Sequence, residues 1–209
     1  MSPPSTGAVA QRGALGAALL AVGLVAARSP RARVGDARLG AALRAVVGAR
    51  GDRAVVATTD LGSVYAISGI AGVLALAGRR DEAIDALAVG LLAWGIAQRS
   101  KSLLDRRRPY EAEGTRRLLR PPSGSSFPSG HAAVAMAWTT RLGERSPARP
   151  VRVGLAALGA AIGLTRVHAG VHYPSDVVAG AGLGLLISAA WRGRLARGLR
   201  ALASRRAVP

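Results

Sequence analysis

The stretch "FPSGHAAVAMAW", Phe127 to Trp138, decides the fold. Pro-Ser-Gly reads as a turn, and the apolar residues that follow at once read as a helix entered through a cap at Ser129 or Gly130. His131 falls in the first turn of that helix. Unpaired N–H groups and the positive end of the helix form an anion seat there, and Gly130 lets an anion approach the backbone closely. Taken alone, an ordinary capped helix with one polar histidine explains the stretch equally well.

Working outward, this helix belongs to a series of charge-poor apolar runs separated by arginine-rich joints: residues 13–27, 61–78, 86–98, 121–140, 153–165 and 177–191. These are six candidate helices. Several hold only 13 to 15 uncharged residues, whereas a membrane span wants about 20. Flanking arginines that snorkel make up the difference, and Asp85, directly before the third run, lies only one turn inside the third helical segment. Half the chain is apolar, yet aromatics are 3%, glycines number 27 and mean hydropathy is +0.26. That composition suits helices packed closely in lipid, where small residues let backbones approach. The expected fold is therefore all-α, a six-helix transmembrane bundle.

Arg12 followed by an apolar stretch ending in "LVAA" also resembles a secretory signal peptide. Cleavage would still leave five hydrophobic runs, too many for an ordinary soluble domain, so a retained helix is preferred. Between the first two runs, "DARLGAALRAVV" (Asp36 to Val47) places Leu39, Ala42, Val46 and Val47 near one helical face. This segment is either an interfacial helix between the first two spans or a connector packed on the bundle. Gly159 with Gly163, and Gly180 with Gly184, have small-xxx-small spacing. Packing within the chain is the economical reading, and a homodimer through these glycine-rich helices is the second.

Lysine plus arginine total 29 against 11 acids, a net charge of +18. An anionic partner is implied: nucleic acid, a membrane surface or a phosphorylated substrate. Nucleic acid is disfavoured by the apolar runs, the scarcity of aromatics for stacking and the lack of a basic recognition helix. With no cysteine, disulfides and thiolate metal sites are excluded.

Three clusters stand at the ends of apolar runs and emerge on one side if the segments alternate. The first is Lys101, the only lysine beside 28 arginines, with Arg108 and Pro109. The second is Pro128 to His131, and the third is "TRVHAGVHYPSD", Thr165 to Asp176. His172 and Asp176 are four apart, so a helix beginning near Pro174 lets them face each other across its first turn. A carboxylate on one ring nitrogen fixes the tautomer and makes the other a better nucleophile. Arg166 offers a planar fork suited to phosphate oxygens. His168 and His172 also have i,i+4 spacing, but Gly170 and Pro174 break the helix there, and no metal site is expected. Arg106, Arg107, Arg116, Arg117 and Arg120 read as a solvated basic loop or a headgroup lure.

Lysine separated by six residues from Arg-Pro, then Pro-Ser-Gly-His, then Arg, His and Asp at these spacings resembles the signature of the type 2 phosphatidic acid phosphatase (PAP2) superfamily, which includes the vanadium haloperoxidases. Lys101, Arg108, Pro109, Pro128, Ser129, Gly130, His131, Arg166, His172 and Asp176 fall on the pattern. Thr165 replaces the usual serine and retains its hydroxyl. The resemblance implies a single membrane phosphatase domain over residues 1–209, with its signature at 101–176. It implies that His172 attacks phosphorus, Asp176 orients it, and His131 protonates the leaving oxygen. Lys101, Arg108, Arg166 and the Ser129 and Gly130 N–H groups would hold the phosphoryl oxygens, with no metal or other cofactor. A compact ammonium at Lys101 serves one oxygen where a guanidinium would be bulkier. The implied substrate is a lipid phosphate or diphosphate, first a polyprenyl lipid of undecaprenyl or decaprenyl type. Phosphatidate and phosphatidylglycerophosphate are the alternatives. A catalytically idle, polyanion-binding membrane scaffold and a vanadate-dependent haloperoxidase are the rivals from other classes.

Sidedness should follow the arginine balance. Residues 28–60, 99–128 and 166–176 carry 16 Lys plus Arg against 13 elsewhere, and setting aside Lys101, Arg108 and Arg166 leaves 13 on each side. The acid-free tail from Arg192 to Arg206 favours a cytoplasmic C-terminus, and with it an active site on the extracytoplasmic face of the cell membrane.

Overall fold

The computed structural model describes residues 6–191, and the regular structure within them is helical throughout. In chain order the helices are α1 (Thr6–Arg28), α2 (Pro30–Val47), α3 (Asp52–Thr59), α4 (Val64–Leu76), α5 (Arg80–Ser100), α6 (Pro109–Ala112), α7 (Gly130–Arg145), α8 (Arg149–His168) and α9 (Pro174–Ala190). The six apolar runs map onto α1, α4, α5, α7, α8 and α9. Central α7 is packed by α5, α8 and α9, while α4 lies on α5 and α1 on α9. The largest apolar cluster is correspondingly built from Ile67, Val89, Ala93, Ala133, Val134, Ala137, Ile162 and Leu183.

Local chemistry sets the helix starts. Ser29 caps α2 ahead of Pro30, and Ser63 caps α4 by accepting from Ala66 N at 3.1 Å. Asp81 and Glu82 open α5 and Arg99 closes it, complementing its dipole. The fourth apolar run opens at Pro121, but its helix, α7, begins at Gly130 with Ser129 as its cap, as the Pro-Ser-Gly turn predicted. Pro121, Pro122 and Pro128 lack the N–H that a helix interior requires, and Ser129 supplies the cap. The preceding residues form an irregular loop that folds back over the bundle mouth.

The glycine pairs are used inside the chain. A Cβ on Gly184 would lie 2.5 Å from Ala133 O on α7, and one on Gly159 would lie 2.5 Å from Thr139 Oγ1. Gly163 and Gly180 are likewise buried, so neither pair presents a face to a second copy. Asp85 also departs from expectation. It does not reach for a membrane edge but is fully buried, accepting from Arg141 Nη2 at 2.8 Å, Arg145 Nε at 3.0 Å and Trp191 Nε1 at 2.9 Å. Burial of that carboxylate is tolerated because two guanidinium groups meet it.

Helix α2 turns Asp36 and Gly40 inward and leaves Val34, Leu39, Ala42, Val46 and Val47 outward. Its apolar face is therefore not the one packed on the bundle, as befits an interfacial helix. Among the described residues, α1 and α8 are long and apolar enough to cross a membrane, and residues 49–62 with α4, bent by 70°, make a third, broken candidate. The C-terminal tail from Arg192 lies outside the described residues.

Candidate active site

The first-cluster lysine stands in the turn that ends α5. Lys101 Nζ donates to Ser125 O at 2.7 Å, which aims the ammonium into a cavity of about 170 Å³ shared with Arg108, Gly130, His131, Arg166 and His172. All three clusters therefore meet at one mouth. Burial, followed by the repulsion of Arg108, pushes Lys101 down to about 8.

Arg108 is almost wholly buried. Its guanidinium is fixed by four carbonyls: Nε on Gly124 O at 3.2 Å, Nη1 on Val171 O at 2.9 Å, and Nη2 on Ser123 O and Ser125 O, each at 3.2 Å. No carboxylate takes up its charge, which stays available to an anion. Nη1 also lies 3.4 Å from His172 Nε2, so a phosphoryl group in front of that nitrogen touches the cation. Arg166 Nη1 donates to Thr59 Oγ1 at 2.7 Å, whereas its buried Nε has no protein partner. Thr165 Oγ1 sits 3.0 Å from Thr59 Oγ1 and donates to Ile162 O at 2.6 Å. The hydroxyl that replaces the usual serine thus buttresses the arginine's own support.

Asp176 is the third residue of α9 and part of its cap: Oδ2 accepts Tyr173 N at 2.8 Å and the Ser126 hydroxyl. His172 Nδ1 faces the same oxygen at 3.6 Å and has no other partner. One ring nitrogen thus looks at a carboxylate and the other at the cation-lined cavity. Burial, only partly opposed by Asp176, pushes His172 down to about 4, so the free imidazole is neutral at physiological pH. His131, in the first turn of α7, reaches the cavity from the opposite wall, with Nε2 3.9 Å from the exposed Asp60.

Two expectations need correction. The Ser129 N–H, assigned to phosphate, donates to Asp176 O at 3.0 Å and is not free for a ligand. This bond instead ties the start of α7 to the start of α9. Gly130 does line the cavity. Arg106, read as part of a solvated loop, is buried: it bridges Asp36 Oδ2 at 2.7 Å and Asp176 Oδ1 at 2.6 Å. Burial works against its charge, but the two carboxylates more than offset this and raise its pKa. His168 lies apart from the site, with Nε2 2.8 Å from Asp52 Oδ1. Among the described residues, no group of three or more His, Cys, Asp or Glu side chains converges as metal ligands do.

The sequence model of the PAP2 superfamily matches residues 82–197. The chain is 36% identical over 125 residues to decaprenylphosphoryl-5-phosphoribose phosphatase of Mycobacterium tuberculosis, covering 60% of this chain and 68% of that one. It is 33% identical over 99 residues to undecaprenyl-diphosphatase of Sulfolobus acidocaldarius, covering 47% and 48%. In fold it is similar to a transmembrane PAP2 type phosphatidylglycerolphosphate phosphatase from Bacillus subtilis. That match has a TM-score of 0.66 and 20% identity, and covers 90% of this chain and 96% of the other.

Proposed function

The chain belongs to the PAP2 superfamily and is a membrane lipid phosphatase, and on that premise we propose that it hydrolyses a polyprenyl phosphate or diphosphate lipid through a phosphohistidine at His172. The observation that carries this reading is the convergence of two histidines and three cationic side chains on one small cavity at the bundle mouth.

In this reading the terminal phosphoryl group sits among Lys101, Arg108 and Arg166, which take up its negative charge. His172 Nε2 attacks in line, forming a P–N bond as the P–O bond to the lipid breaks. His131 gives its proton to the departing oxygen. Asp176 stabilises the charge that develops on His172 through Nδ1. A water then loses its proton to His131, its oxygen bonds to phosphorus, and the P–N bond breaks to release phosphate. The three cations hold the equatorial oxygens through both steps.

The polyprenyl assignment is supported by two relatives whose names carry decaprenyl and undecaprenyl groups. It is also supported by a polar mouth on an apolar bundle, which keeps a long tail in lipid while the headgroup reacts. Phosphatidate and phosphatidylglycerophosphate are the alternatives. We read the bundle as multi-pass, with residues 1–209 as one domain. An extracytoplasmic mouth is supported by the arginine-rich tail.

The test is phosphate release by detergent-purified protein in excess chelator, from polyprenyl diphosphate, polyprenyl phosphate, phosphatidate and phosphatidylglycerophosphate, with His172→Ala alongside. Fastest release from a polyprenyl lipid, lost in the variant, is the expected result. Preference for a glycerolipid would overturn the substrate assignment, and release that survives His172→Ala would overturn the nucleophile.

A further inference from the structure

We propose that Arg106 and Asp36 are positioning residues for the hydrolysis, holding the Asp176 carboxylate in the orientation in which it serves His172. This rests on the reading of His172 as nucleophile and Asp176 as its orienting partner.

The separation of His172 Nδ1 from Asp176 Oδ2, 3.6 Å, is longer than a hydrogen bond. Whether the pair engages when charge develops on the ring depends on how the carboxylate is turned. The other bonds to Asp176 set that angle. Tyr173 N and the Ser126 hydroxyl take Oδ2, and Arg106 Nη1 takes Oδ1 at 2.6 Å. Arg106 is itself held. Its Nη1 also donates to Ser175 Oγ at 2.7 Å, its Nη2 donates to Asp36 Oδ2 at 2.7 Å, and the Tyr173 ring lies 4.0 Å from its central carbon. Asp36 accepts in addition from Ser175 N at 2.9 Å and Ser175 Oγ at 2.5 Å. Asp36, Arg106 and Asp176 are all buried, so this is a closed chain of charges, negative, positive, negative, with little water to screen it.

The charge count matters as much as the geometry. Asp176 is faced by His172 from the α8–α9 loop, by Arg106 and more distantly Lys101 and Arg108 from the segment after α5, and by Asp36 from α2 across Arg106 and Ser175. Lys101 and Arg108 are directed at the cavity, which leaves Arg106 as the cation that neutralises the two carboxylates. If Arg106 is removed, two buried anions lose the cation that bridges them, and Asp176 turns or is neutralised. If Asp36 is removed as well, the repulsion goes with it.

The experiment measures kcat and KM on detergent-dispersed polyprenyl diphosphate and phosphatidate for Arg106→Gln, Arg106→Lys, Asp36→Asn and the Arg106→Gln/Asp36→Asn pair, with Asp176→Asn for reference. Arg106→Gln should lower kcat by about 10- to 100-fold, with KM changed less than about threefold, because the lost support acts on the reacting ring and not on the bound headgroup. Arg106→Lys should recover part of the loss, and Asp36→Asn in the Arg106→Gln background should raise kcat above that of the single variant. A merely structural arginine would lower the folded fraction and thermal stability, leaving kcat per folded molecule unchanged. Wild-type kcat in Arg106→Gln beside an inactive Asp176→Asn would overturn the proposal alone, as would a change confined to KM or a double variant no faster than the single. A fully active Asp176→Asn would overturn the role of the carboxylate, and this proposal with it. Should Arg106→Gln fail to fold, Asp36→Asn carries the test by itself, since it keeps the arginine and removes only its anchor.

Discussion

Lys101 shows what one side chain contributes that its commonest substitute in this chain cannot. Its single nitrogen points between Ser125 O and the cavity, a place where a planar guanidinium would meet the Arg108 group it is packed beside. Lys101→Arg should therefore cost about 10²-fold in kcat/KM, the scale of removing one donor to a developing oxyanion, measured against wild type on the same lipid. Titration offers a second check. The ammonium, held down to about 8 by burial and then by Arg108, is charged below that pH and neutral above it. Wild-type kcat/KM should fall as pH rises through about 8, whereas kcat should hold to higher pH because bound phosphate stabilises the charge. The residual activity of Lys101→Arg should lack that alkaline limb, since guanidinium does not titrate there. At the acid end, His172 is held down to about 4, so the neutral nucleophile should persist well below pH 6. The convergence of the residues proposed for the reacting side was legible because Lys101, Arg108, His131, Arg166, His172 and Asp176 keep fixed spacings within short segments. Arg106 was not, because what buries it is Asp36, 70 residues away along the chain, in a segment whose sequence signals only an amphipathic helix.

Helices set the distances between those residues, and two features of α7 explain how. At the mouth end, the Ser129 N–H donates to Asp176 O, so the caps of α7 and α9 are one joint. Along their length the two helices approach through Gly180 and Gly184. Gly184→Val would force a side chain against Ala133 O, where even a Cβ would lie 2.5 Å away, and should destabilise the protein by about 1–3 kcal/mol while parting His131 from His172. Lower thermal stability in detergent together with reduced kcat is the expected pair of readings. At the other end, some 16 residues or about 24 Å along α7, Asp85 gathers Arg141, Arg145 and Trp191. Asp85→Asn would remove the buried carboxylate that both guanidinium groups share, leaving Arg141 with Glu144 at 2.7 Å and Arg145 with the more distant Asp81 at 3.9 Å, and should cost about 3 kcal/mol of stability. Because this cluster is remote from the mouth, kcat at low temperature should change little, which separates the variant from those at the joint. Charge-poor apolar runs made the six bundle helices readable, and the Pro-Ser-Gly turn marked the start of α7 at Ser129 or Gly130. The interior destination of Asp85 was not readable, since a lone carboxylate near a helix end looks the same whether it meets water or an arginine on a neighbour.

At the scale of the whole molecule, the described helices have a polar mouth at one end and a buried charge cluster at the other, with apolar helix surface between, a layout that supports the proposed multi-pass seating. The mouth end includes the turn after α5, the loop before α7 and the start of α9, while the α7–α8 connection at Ser146 to Ala148 lies at the far end. Which end faces the cytoplasm was not legible from charge, because arginine is divided evenly between them once the site's own cations are set aside. Some of those arginines are structural: Arg106 and Arg141 are buried in ion pairs and report nothing about the membrane potential or lipid charge. The tail beyond Trp191, whose six arginines already stand within that even count, carries no acid, and on that ground the proposed orientation has a cytoplasmic far end. The chain has no cysteine, so a single introduced thiol reports without background. Ser102→Cys, exposed beside the mouth, and Ala148→Cys, exposed at the far end, can be expressed separately in cells and treated with a membrane-impermeant maleimide. With an outward-facing site, Ser102→Cys should label in intact cells and Ala148→Cys only after permeabilisation. The reverse pattern would turn the mouth inward and overturn the extracytoplasmic assignment.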